Sequence, residues 1–419
     1  MPKAPTHTSS ERAVDQFLRF TRLARKIGLT RQLVEDDAFH GSTIVLRGQE
    51  VANFGLCSYL ALGDDPRLVD AGIDAIRRYG NSYSSSTAYT ALPQYGVLRD
   101  RFQAMLGAPS LLTASTTLAH MSALPVLVRE GDTVVIDSLA HASLLGVIPT
   151  LRANGATVHQ LPHSDLMALR DITETAPGRT WYLFDGLYSM QGVTAPAVEL
   201  RAMLDEHPDL WLYCDDAHSL GWTGLHGRGL FLERAGWHDR LVMSFGLAKS
   251  FGTMGGVIAT PDPELIELIE VTGGPMIFGG PLPPPVLGAS IASADIHLSD
   301  ELPGLQQDLM TRIRFVNDFS EEIGLPLAAK EETPLFFVET GAVLTTISVT
   351  ASMLKRGFFL NGAAFPVVPR NRGGLRFTVT RYNDLAQIEA MLTSLHEVRL
   401  EHEGSDATID LTVFEDEAL

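Results

Sequence analysis

Short, almost wholly apolar segments, each ending in a polar residue or glycine, constrain the fold of this chain more than any other feature. The clearest of them are TVVIDS (133–138), WYLFDG (181–186), LWLYCDD (210–216) and LVMSFG (241–246). Helical patterns separate these segments between about residue 65 and residue 299. Continuous apolar strands that alternate with helices predict a mainly parallel sheet covered on both faces, so the expected fold class is α/β.

Polar side chains follow or end these predicted strands. They are Asp137, Asp185, Asp215 and Ser244. In open parallel sheets, ligands bind at the carboxyl ends of the strands. We therefore expect these four side chains to lie at one edge of the sheet, where a ligand would bind.

The remaining patterns predict further elements and a division into parts. Outside the sheet we expect a helix over about 11–27, a strand near 42–46, a long helix near 305–322, strands near 335–339 and 374–379, and an amphipathic helix over 384–398. The segment PLPPP (281–285) is expected to begin the exit from the sheet domain. The predicted parts are an N-terminal helix and arm (1–60), a large domain (61–300), a smaller α+β domain (301–400) and an acidic tail (401–419).

Composition excludes several classes of function. Acidic residues outnumber basic ones by 50 to 32, which gives a net charge of −18 and, without a local basic patch, disfavours a nucleic-acid partner. No apolar stretch of 18 residues predicts a membrane span, and no signal-peptide core begins the sequence, so the cytoplasm is the expected compartment. Cys57 and Cys214 are too few for a disulfide framework or a thiolate zinc site.

One lysine stands in unusual surroundings. The lysines are Lys3, Lys26, Lys249, Lys330 and Lys355. Lys249 alone lies between an apolar run and a glycine-rich one, in LVMSFGLAKSFGTMGG. A lysine at a strand end usually extends its charge to solvent, but in an apolar wall it loses its charge readily and becomes an amine nucleophile. The neighbouring motifs must decide between these two interpretations.

The segment DDAH, residues 215–218, has three interpretations. Asp215 could cap the turn after its strand, or DDAH could ligate a metal. No further cluster has metal-ligand spacing, so we expect no metal site. A carboxylate at the floor of a pocket also holds the pyridinium nitrogen of pyridoxal phosphate protonated, which makes the ring an electron sink.

The other parts of a pyridoxal phosphate site are present in the sequence. Lys249, one strand after Asp215, would form the Schiff base. The turn ASTTLAH (114–120) opens a helix, so its N–H groups and the hydroxyls of Ser115, Thr116 and Thr117 could bind a phosphate. His141, in DSLAHAS, could lie flat on the ring. Each residue has an ordinary structural role when taken singly, but their order and shared position at strand ends favour the cofactor site.

These motifs make the chain similar to the α-oxoamine synthases, a family of pyridoxal phosphate enzymes. The resemblance covers about residues 53–395 and rests on NFGLCSYLAL, DSLAHAS, PHSD, GLYSMQGVTAP, DDAHSLGWTGLHGRG, the Lys249 segment and FPVVPRNRGGLRFTVT. It implies the fold-type I architecture, with a seven-stranded, mainly parallel sheet in a large domain and a smaller α+β C-terminal domain. It also implies a homodimer.

The resemblance implies a role for each matching residue. Lys249 carries the cofactor and moves the α-proton, Asp215 pairs with the ring nitrogen, and His141 stacks on the ring. His218 and Ser189 bond the cofactor's 3-oxygen. Arg376 matches the arginine that binds the amino acid's carboxylate, a task that suits the planar guanidinium.

The chain departs from the family pattern at several cofactor-facing and substrate-facing positions. Cys57 replaces an asparagine, and SSSTAYT (84–90), which contains Ser86, replaces a GSR motif. Ser115-Thr116 replaces Ser-Gly in the phosphate turn. Gly246 replaces the Ser or Thr three residues before the lysine, which leaves Ser244 to substitute. Gly279-Gly280 replaces a Ser-Thr pair that reaches the neighbouring subunit's cofactor.

The implied reaction joins an amino-acid carbanion to an acyl thioester, such as an acyl-CoA or an acyl-carrier protein, with loss of carbon dioxide. Three alternatives stay open. The same carbanion could meet a different electrophile, in an elimination–addition or annulation. The chain could be an aminotransferase, or a non-catalytic protein on the same fold, which the intact Lys249, Asp215 and Arg376 disfavour.

Overall fold

The computed structural model describes residues 30–364, 368–369 and 371–403, together with Leu18, Thr21, Arg22 and Arg25. Apart from those four residues, the predicted helix over 11–27 lies outside the described part of the chain, as does most of the acidic tail. The chain divides into two compact units: one is Cys57–Met310, and the other combines Met1–Leu56 with Thr311–Leu419. The N-terminal part therefore groups with the C-terminal part, whereas the predicted division treats them separately.

The strands are β1 (Thr43–Leu46), β2 (Gln49–Asn53), β3 (Ser110–Thr113), β4 (Thr133–Asp137), β5 (Thr157–Leu161), β6 (Thr180–Asp185), β7 (Leu210–Asp215), β8 (Leu241–Gly246), β9 (Gly256–Ala259), β10 (Leu335–Gly341), β11 (Phe358–Phe359), β12 (Asn361–Ala363) and β13 (Gly373–Thr378). The helices are α1 (Pro66–Tyr79), α2 (Pro93–Leu106), α3 (Thr116–Leu127), α4 (Ala142–Leu145), α5 (Ile148–Ala153), α6 (Leu166–Thr175), α7 (Ala197–Glu206), α8 (Leu230–Ala235), α9 (Pro263–Thr272), α10 (Gly274–Phe278), α11 (Pro284–His297), α12 (Leu302–Glu322), α13 (Val343–Lys355) and α14 (Leu385–Glu401). None of the described helices is both long and apolar enough to cross a membrane.

The unit Cys57–Met310 is built on one seven-stranded sheet with the order β3-β9-β8-β7-β6-β4-β5. Strands β8, β7, β6, β4 and β5 run parallel, while β9 is antiparallel to both β8 and β3. The four apolar segments identified in the sequence are β4, β6, β7 and β8, at the centre of the sheet. The predicted α/β class and mainly parallel sheet are confirmed.

Apolar side chains cover both faces of this sheet. On β6, Tyr182 and Phe184 pack into one buried cluster while Trp181 and Leu183 pack into the other, because successive side chains of a strand point to opposite faces. A strand that is buried on both faces has no polar positions to alternate with apolar ones. This is why these segments are continuously apolar in the sequence.

Helices α1 and α11 pack closely in the same unit. A Cβ added at Gly288 would overlap the carbonyl oxygen of Ala71 and lie 2.9 Å from the Cβ of Ala75. Helix α11 begins at Pro284, within PLPPP, since proline suits the first turn of a helix. The proline-rich segment therefore starts a helix of the large unit, and this unit ends only inside α12, at Met310.

The other unit contains two small sheets, β1-β2-β11 and β10-β13-β12. The predicted strands near 42–46, 335–339 and 374–379 are confirmed as β1, β10 and β13. The predicted helix over 384–398 is confirmed as α14, and the helix near 305–322 as α12, which begins in the large unit. Sequence patterns missed β3 and β9, which have four residues each, and β5, whose side chains are partly exposed.

Candidate active site

The polar residues at the ends of the central strands lie side by side. Asp185 pairs in register with Asp215, and Asp215 pairs with Ser244, across β6, β7 and β8. Asp137 ends β4 at the same edge of the sheet. The predicted grouping at the carboxyl ends of the parallel strands is therefore present.

Two of these four side chains, Asp137 and Ser244, form hydrogen bonds inside the protein. Asp137 is fully buried and accepts hydrogen bonds from the hydroxyls of Tyr182 and Tyr188 and from the N–H of Ser164. The hydroxyl of Ser244 is also fully buried and donates to the carbonyl oxygen of Cys214 at 3.4 Å. Neither residue lines the cavity described next, so their polar groups stabilise the sheet edge from within.

A cavity of about 200 Å³ opens at this edge. Seven of the predicted site residues line it: Ser115, Thr116, Thr117, His141, Asp215, His218 and Lys249. They come from loops and helices that follow four different strands, so only the folded sheet brings them together.

The N-terminus of α3 faces the cavity. Ser115 is its N-cap, and its hydroxyl accepts a hydrogen bond from the N–H of Leu118 at 3.2 Å. Thr116 and Thr117 are the first two helical residues and also line the cavity. The free N–H groups and the dipole of a helix N-terminus favour an anion such as phosphate. Ser115 thus has the ordinary capping role as well as a place at the predicted phosphate turn.

Asp215 is held by two donors. Its Oδ1 accepts from the N–H of Ala217 at 3.1 Å, and its Oδ2 is 2.9 Å from Nε2 of the fully buried His120. Burial opposes ionisation of Asp215, but the hydrogen bond of His120, together with the nearby Lys249 and His141, lowers its pKa below the usual value. The cavity floor therefore carries an ionised carboxylate, the form that holds a pyridinium proton.

Asp185 is a second carboxyl group in the cavity. It is 3% exposed, and its Oδ1 accepts from the backbone N–H of His141 at 3.0 Å. Burial and the charge of Asp215 raise its pKa well above the usual value. Two adjacent carboxyls in one cavity do not ionise equally, and here Asp215 is the ionised one.

The rings of His141 and His218 are oriented by hydroxyl groups. Nδ1 of His141 is 2.7 Å from the hydroxyl of Ser143, and Nδ1 of His218 is 2.8 Å from the hydroxyl of the fully buried Tyr59. Both histidines line the cavity. A flat ring and a ring nitrogen at fixed positions suit stacking on, and bonding to, an aromatic cofactor.

Lys249 lies beside Gly246 and Thr116. A Cβ added at Gly246 would be 2.9 Å from Oγ1 of Thr116 and 3.6 Å from Nζ of Lys249. The hydroxyl of Thr116 thus fills the space that a side chain at position 246 would take. The two departures from the family pattern at these positions are neighbours in space, which the sequence did not reveal.

Other predicted residues lie away from this cavity. Ser189 is in a turn after β6, and Gly279-Gly280 follow α10 and line a separate pocket of about 440 Å³ with the hydroxyl-rich loop around Ser84. The hydroxyl of Ser86 accepts from the N–H of Ala88 within that loop. These residues are not among those that line the cavity with Lys249, and their roles stay predictions.

The two other predicted substrate residues, Cys57 and Arg376, belong to different units of the chain. Cys57 is partly buried at the start of the large unit. Arg376 lies on β13 of the other unit, 8% exposed, and pairs in register with Phe337 and Asn361. Their roles toward a substrate stay predictions from the resemblance.

Sequence reasoning missed three residues of the site, His120, Tyr59 and Ser143, and it expected Asp185 at this edge without giving it a role in the cavity. His120 stands in ASTTLAH, one helical turn after Thr116, so helical spacing places it on the face of α3 that holds the phosphate turn. Ser143 follows His141 by two residues, a spacing typical of local side-chain bonds. Tyr59 gave no signal, because its partner His218 is 159 residues away.

Comparisons with known proteins agree with this geometry. A sequence model of the class I and II aminotransferases matches residues 52–394. The chain is 30% identical over 383 residues to 8-amino-7-oxononanoate synthase of Symbiobacterium thermophilum, covering 89% of this chain and 95% of that one. It is 32% identical over 389 residues to the enzyme of that name from Geobacter metallireducens, covering 90% and 97%.

The fold is also similar to a solved structure. Serine palmitoyltransferase of S. paucimobilis superimposes with a TM-score of 0.85 at 20% identity, covering 94% of this chain and 99% of that chain. At this identity the likeness concerns the fold.

Proposed function

Because the chain belongs to the class I and II aminotransferase family, in its α-oxoamine synthase group, we propose that it is a pyridoxal phosphate enzyme that condenses an α-amino acid with an acyl thioester. The reaction forms a carbon–carbon bond, releases the thiol and carbon dioxide, and leaves an α-aminoketone. The thioester would be an acyl-CoA or an acyl-carrier protein.

One observation carries this proposal: a single cavity holds Lys249, the ionised Asp215, His141 and the N-terminus of α3. These groups offer an amine, an anion, a flat ring and a phosphate site. Pyridoxal phosphate has an aldehyde, a basic ring nitrogen, a flat ring and a phosphate. The donor set of the cavity therefore matches the cofactor group by group.

Bound pyridoxal phosphate would supply a ring that accepts the electron pair left at the amino acid's Cα. Asp215 would hold the proton of the ring nitrogen, and His141 would pack against the ring. Thr116, Thr117 and the first N–H groups of α3 would bind the phosphate. His218 would donate to or accept from the 3-oxygen, with Tyr59 fixing its orientation.

Lys249 is assigned as the amine that carries the cofactor and then moves the proton at the substrate's Cα. Arg376 is assigned as the clamp for the substrate carboxylate, on the resemblance alone. Replacing Arg376 with Lys keeps the charge but removes the planar fork, so the amino-acid KM should rise about tenfold or more while the cofactor still binds, the scale of one charge-assisted hydrogen bond.

Borohydride reduction tests the cofactor assignment. After incubation with pyridoxal phosphate, reduction should fix a pyridoxyl group on the peptide that contains Lys249, as mass spectrometry would show. The variant Lys249→Ala should take up no covalent label. Labelling of Lys330 or Lys355 instead would reject the assignment of Lys249.

The stoichiometry of products tests the reaction. Purified protein with a small α-amino acid and acyl thioesters of varied chain length should release thiol and carbon dioxide in equal amounts. Loss of the α-proton, measured by exchange with deuterated water, without any thiol release would instead indicate the same carbanion with a different electrophile. A keto acid formed from the amino acid without a second carbon substrate would indicate an aminotransferase.

A further inference from the structure

The most unexpected contact of the cavity floor involves His120, which has no role in the proposed reaction so far. The side chain lies on α3 and is fully buried. Its Nε2 is 2.9 Å from Oδ2 of Asp215, and its Nδ1 is 3.0 Å from the hydroxyl of Tyr213. Both ring nitrogens are therefore engaged, although the histidine is 95 residues from Asp215 in the sequence.

The chemistry of the partners fixes the direction of these bonds. An ionised Asp215 only accepts, so Nε2 of His120 carries a hydrogen and donates to it. Burial raises the pKa of the Tyr213 phenol, which is therefore protonated and donates to Nδ1. The hydroxyl of Ser244, 3.5 Å from Nδ1, lies beside this bond. A ring that donates from Nε2 and accepts at Nδ1 satisfies both contacts.

The hydrogen bond from His120 restricts the orientation of the Asp215 carboxylate. With Oδ1 held by the N–H of Ala217 and Oδ2 by His120, rotation of the carboxylate would break both hydrogen bonds, and Asp215 itself lines the cavity. The other titratable groups facing it are Asp185 on β6, His141 after β4 and Lys249 after β8. Burial opposes ionisation of Asp215, and the hydrogen bond from His120 is one of the contacts that favour its ionised form.

We propose that His120 is a positioning residue: it holds Asp215 in the orientation and ionised state that keep the ring nitrogen of the bound cofactor protonated. The inference rests on the proposed function. Thr116 and His120 are four residues apart on α3, so one helix positions both the phosphate turn and the carboxylate of the ring nitrogen. A shift of α3 would then disturb both ends of the cofactor together.

The test measures the ring nitrogen directly. Protein loaded with pyridoxal phosphate labelled with ¹⁵N in the ring should show the chemical shift of a protonated nitrogen from pH 6 to pH 9. His120→Leu removes the donor, so the nitrogen should lose its proton within this range. The kcat should fall about ten- to a hundredfold, the scale of one hydrogen bond to a charged group, with little change in KM.

Two further variants separate positioning from a loss of packing. His120→Gln places an amide N–H near the position of Nε2 and should retain the protonated nitrogen. His120→Asn is shorter and reaches only the Nδ1 position, so it should behave like His120→Leu even if the leucine variant does not fold. Ser122→Ala, on the same buried helix but bonded only to the carbonyl of Leu118, should match the wild type.

The outcomes distinguish this inference from the proposed function. If the wild type binds no pyridoxal phosphate, both fall. If it binds the cofactor with a protonated nitrogen, and the leucine and asparagine variants keep the same ¹⁵N shift and kcat, only the role of His120 is rejected. In an Asp215→Asn background, His120→Leu should cause no further loss, because its target is gone.

Discussion

The carboxyl group of Asp216, which follows Asp215 in the sequence, is fully buried. The N–H of Phe231 donates to Oδ2 at 3.4 Å, while Oδ1 has no hydrogen-bond partner among the residues that the structure describes. Burial therefore raises the pKa of Asp216 from 3.8 to about 6. The same carboxyl requires a glycine at position 186, because a Cβ there would overlap Oδ1 of Asp216.

This raised pKa predicts a pH dependence of stability. Below pH 4 the carboxyl of Asp216 is protonated in both the folded and the unfolded state. As the pH rises from about 4 to about 6, only the unfolded state ionises, so folding loses roughly 3 kcal/mol for a shift of about two units, and above pH 6 there is no further loss. The amide of Asp216→Asn does not ionise, so the variant does not lose this stability. The difference in unfolding free energy, variant minus wild type, should therefore be roughly 3 kcal/mol larger at pH 7 than at pH 4.

Urea unfolding of both proteins at several pH values checks this expectation. Asp205→Asn is a suitable control, because Asp205 is an exposed acid in the same unit. A stability difference between Asp216→Asn and wild type that does not change with pH would show that Asp216 ionises normally.

Positions 246 and 116 are neighbours in space, so substitutions there should affect cofactor affinity jointly. Gly246→Ser puts a Cβ 2.9 Å from Oγ1 of Thr116 and 3.0 Å from the Cβ of Ala217, so cofactor affinity or stability should fall, by roughly 1–3 kcal/mol for such overpacking. Thr116→Gly removes the hydroxyl and should weaken cofactor binding alone. In the double variant Gly246→Ser/Thr116→Gly, the serine at position 246 supplies the hydroxyl that position 116 has lost. The affinity of this variant for pyridoxal phosphate should exceed that of either single variant.

Equilibrium titration with pyridoxal phosphate, followed by its absorbance, measures this coupling. Losses that simply add in the double variant would contradict the view that the two positions share one space.

At the scale of elements, the contact between α1 and α11 depends on a glycine. Gly288→Ala would drive a Cβ into the carbonyl of Ala71, which cannot move without shifting the helix, so we expect a loss of roughly 1–3 kcal/mol of unfolding free energy. Gly96→Ala is the matched control within a helix. A Cβ there meets no described atom within 4 Å, and the substitution should stabilise by about 0.5–1 kcal/mol.

Thermal or urea unfolding of the two variants gives the comparison. Equal effects of both substitutions would mean that helix propensity, not the close approach of α1 and α11, controls position 288.

At the scale of the whole molecule, we propose a homodimer, as the resemblance implies. Val69, Ile73 and Ile76 form an exposed apolar row on α1, each more than 40% exposed, beside Met254. Met254 also lines the cavity with Lys249, so a second copy on this patch would meet the active site. Exposed apolar patches next to a functional site are typical of interfaces.

The prediction is that the protein sediments as a dimer at micromolar concentration and that Ile73→Arg shifts it to a monomer with reduced turnover. Asp70→Arg adds a charge of the same sign to the same helix outside the apolar row and should remain dimeric. A wild-type monomer with full activity would contradict the proposal, as would an Ile73→Arg variant that stays dimeric.

The sequence alone determined the central sheet and most of the cavity. Strands buried on both faces must be apolar throughout, so β4, β6, β7 and β8 are visible in the sequence. Parallel strands end at a common edge, so residues that follow them converge. Asp215, His141, Lys249 and the turn at Thr116 could therefore be assigned to one site, although their chemical roles stay predictions.

The contacts between distant side chains become visible only in the folded structure. His120 meets Asp215 and Tyr59 meets His218 across 95 and 159 residues. Ser244, expected to replace a lost hydroxyl, is buried within the sheet edge, while Thr116 fills the space beside Gly246. Strand periodicity fixes which edge a residue reaches, but a hydrogen bond requires atoms placed to within a few tenths of an ångström. That placement depends on how distant helices and strands pack together, which no local pattern encodes.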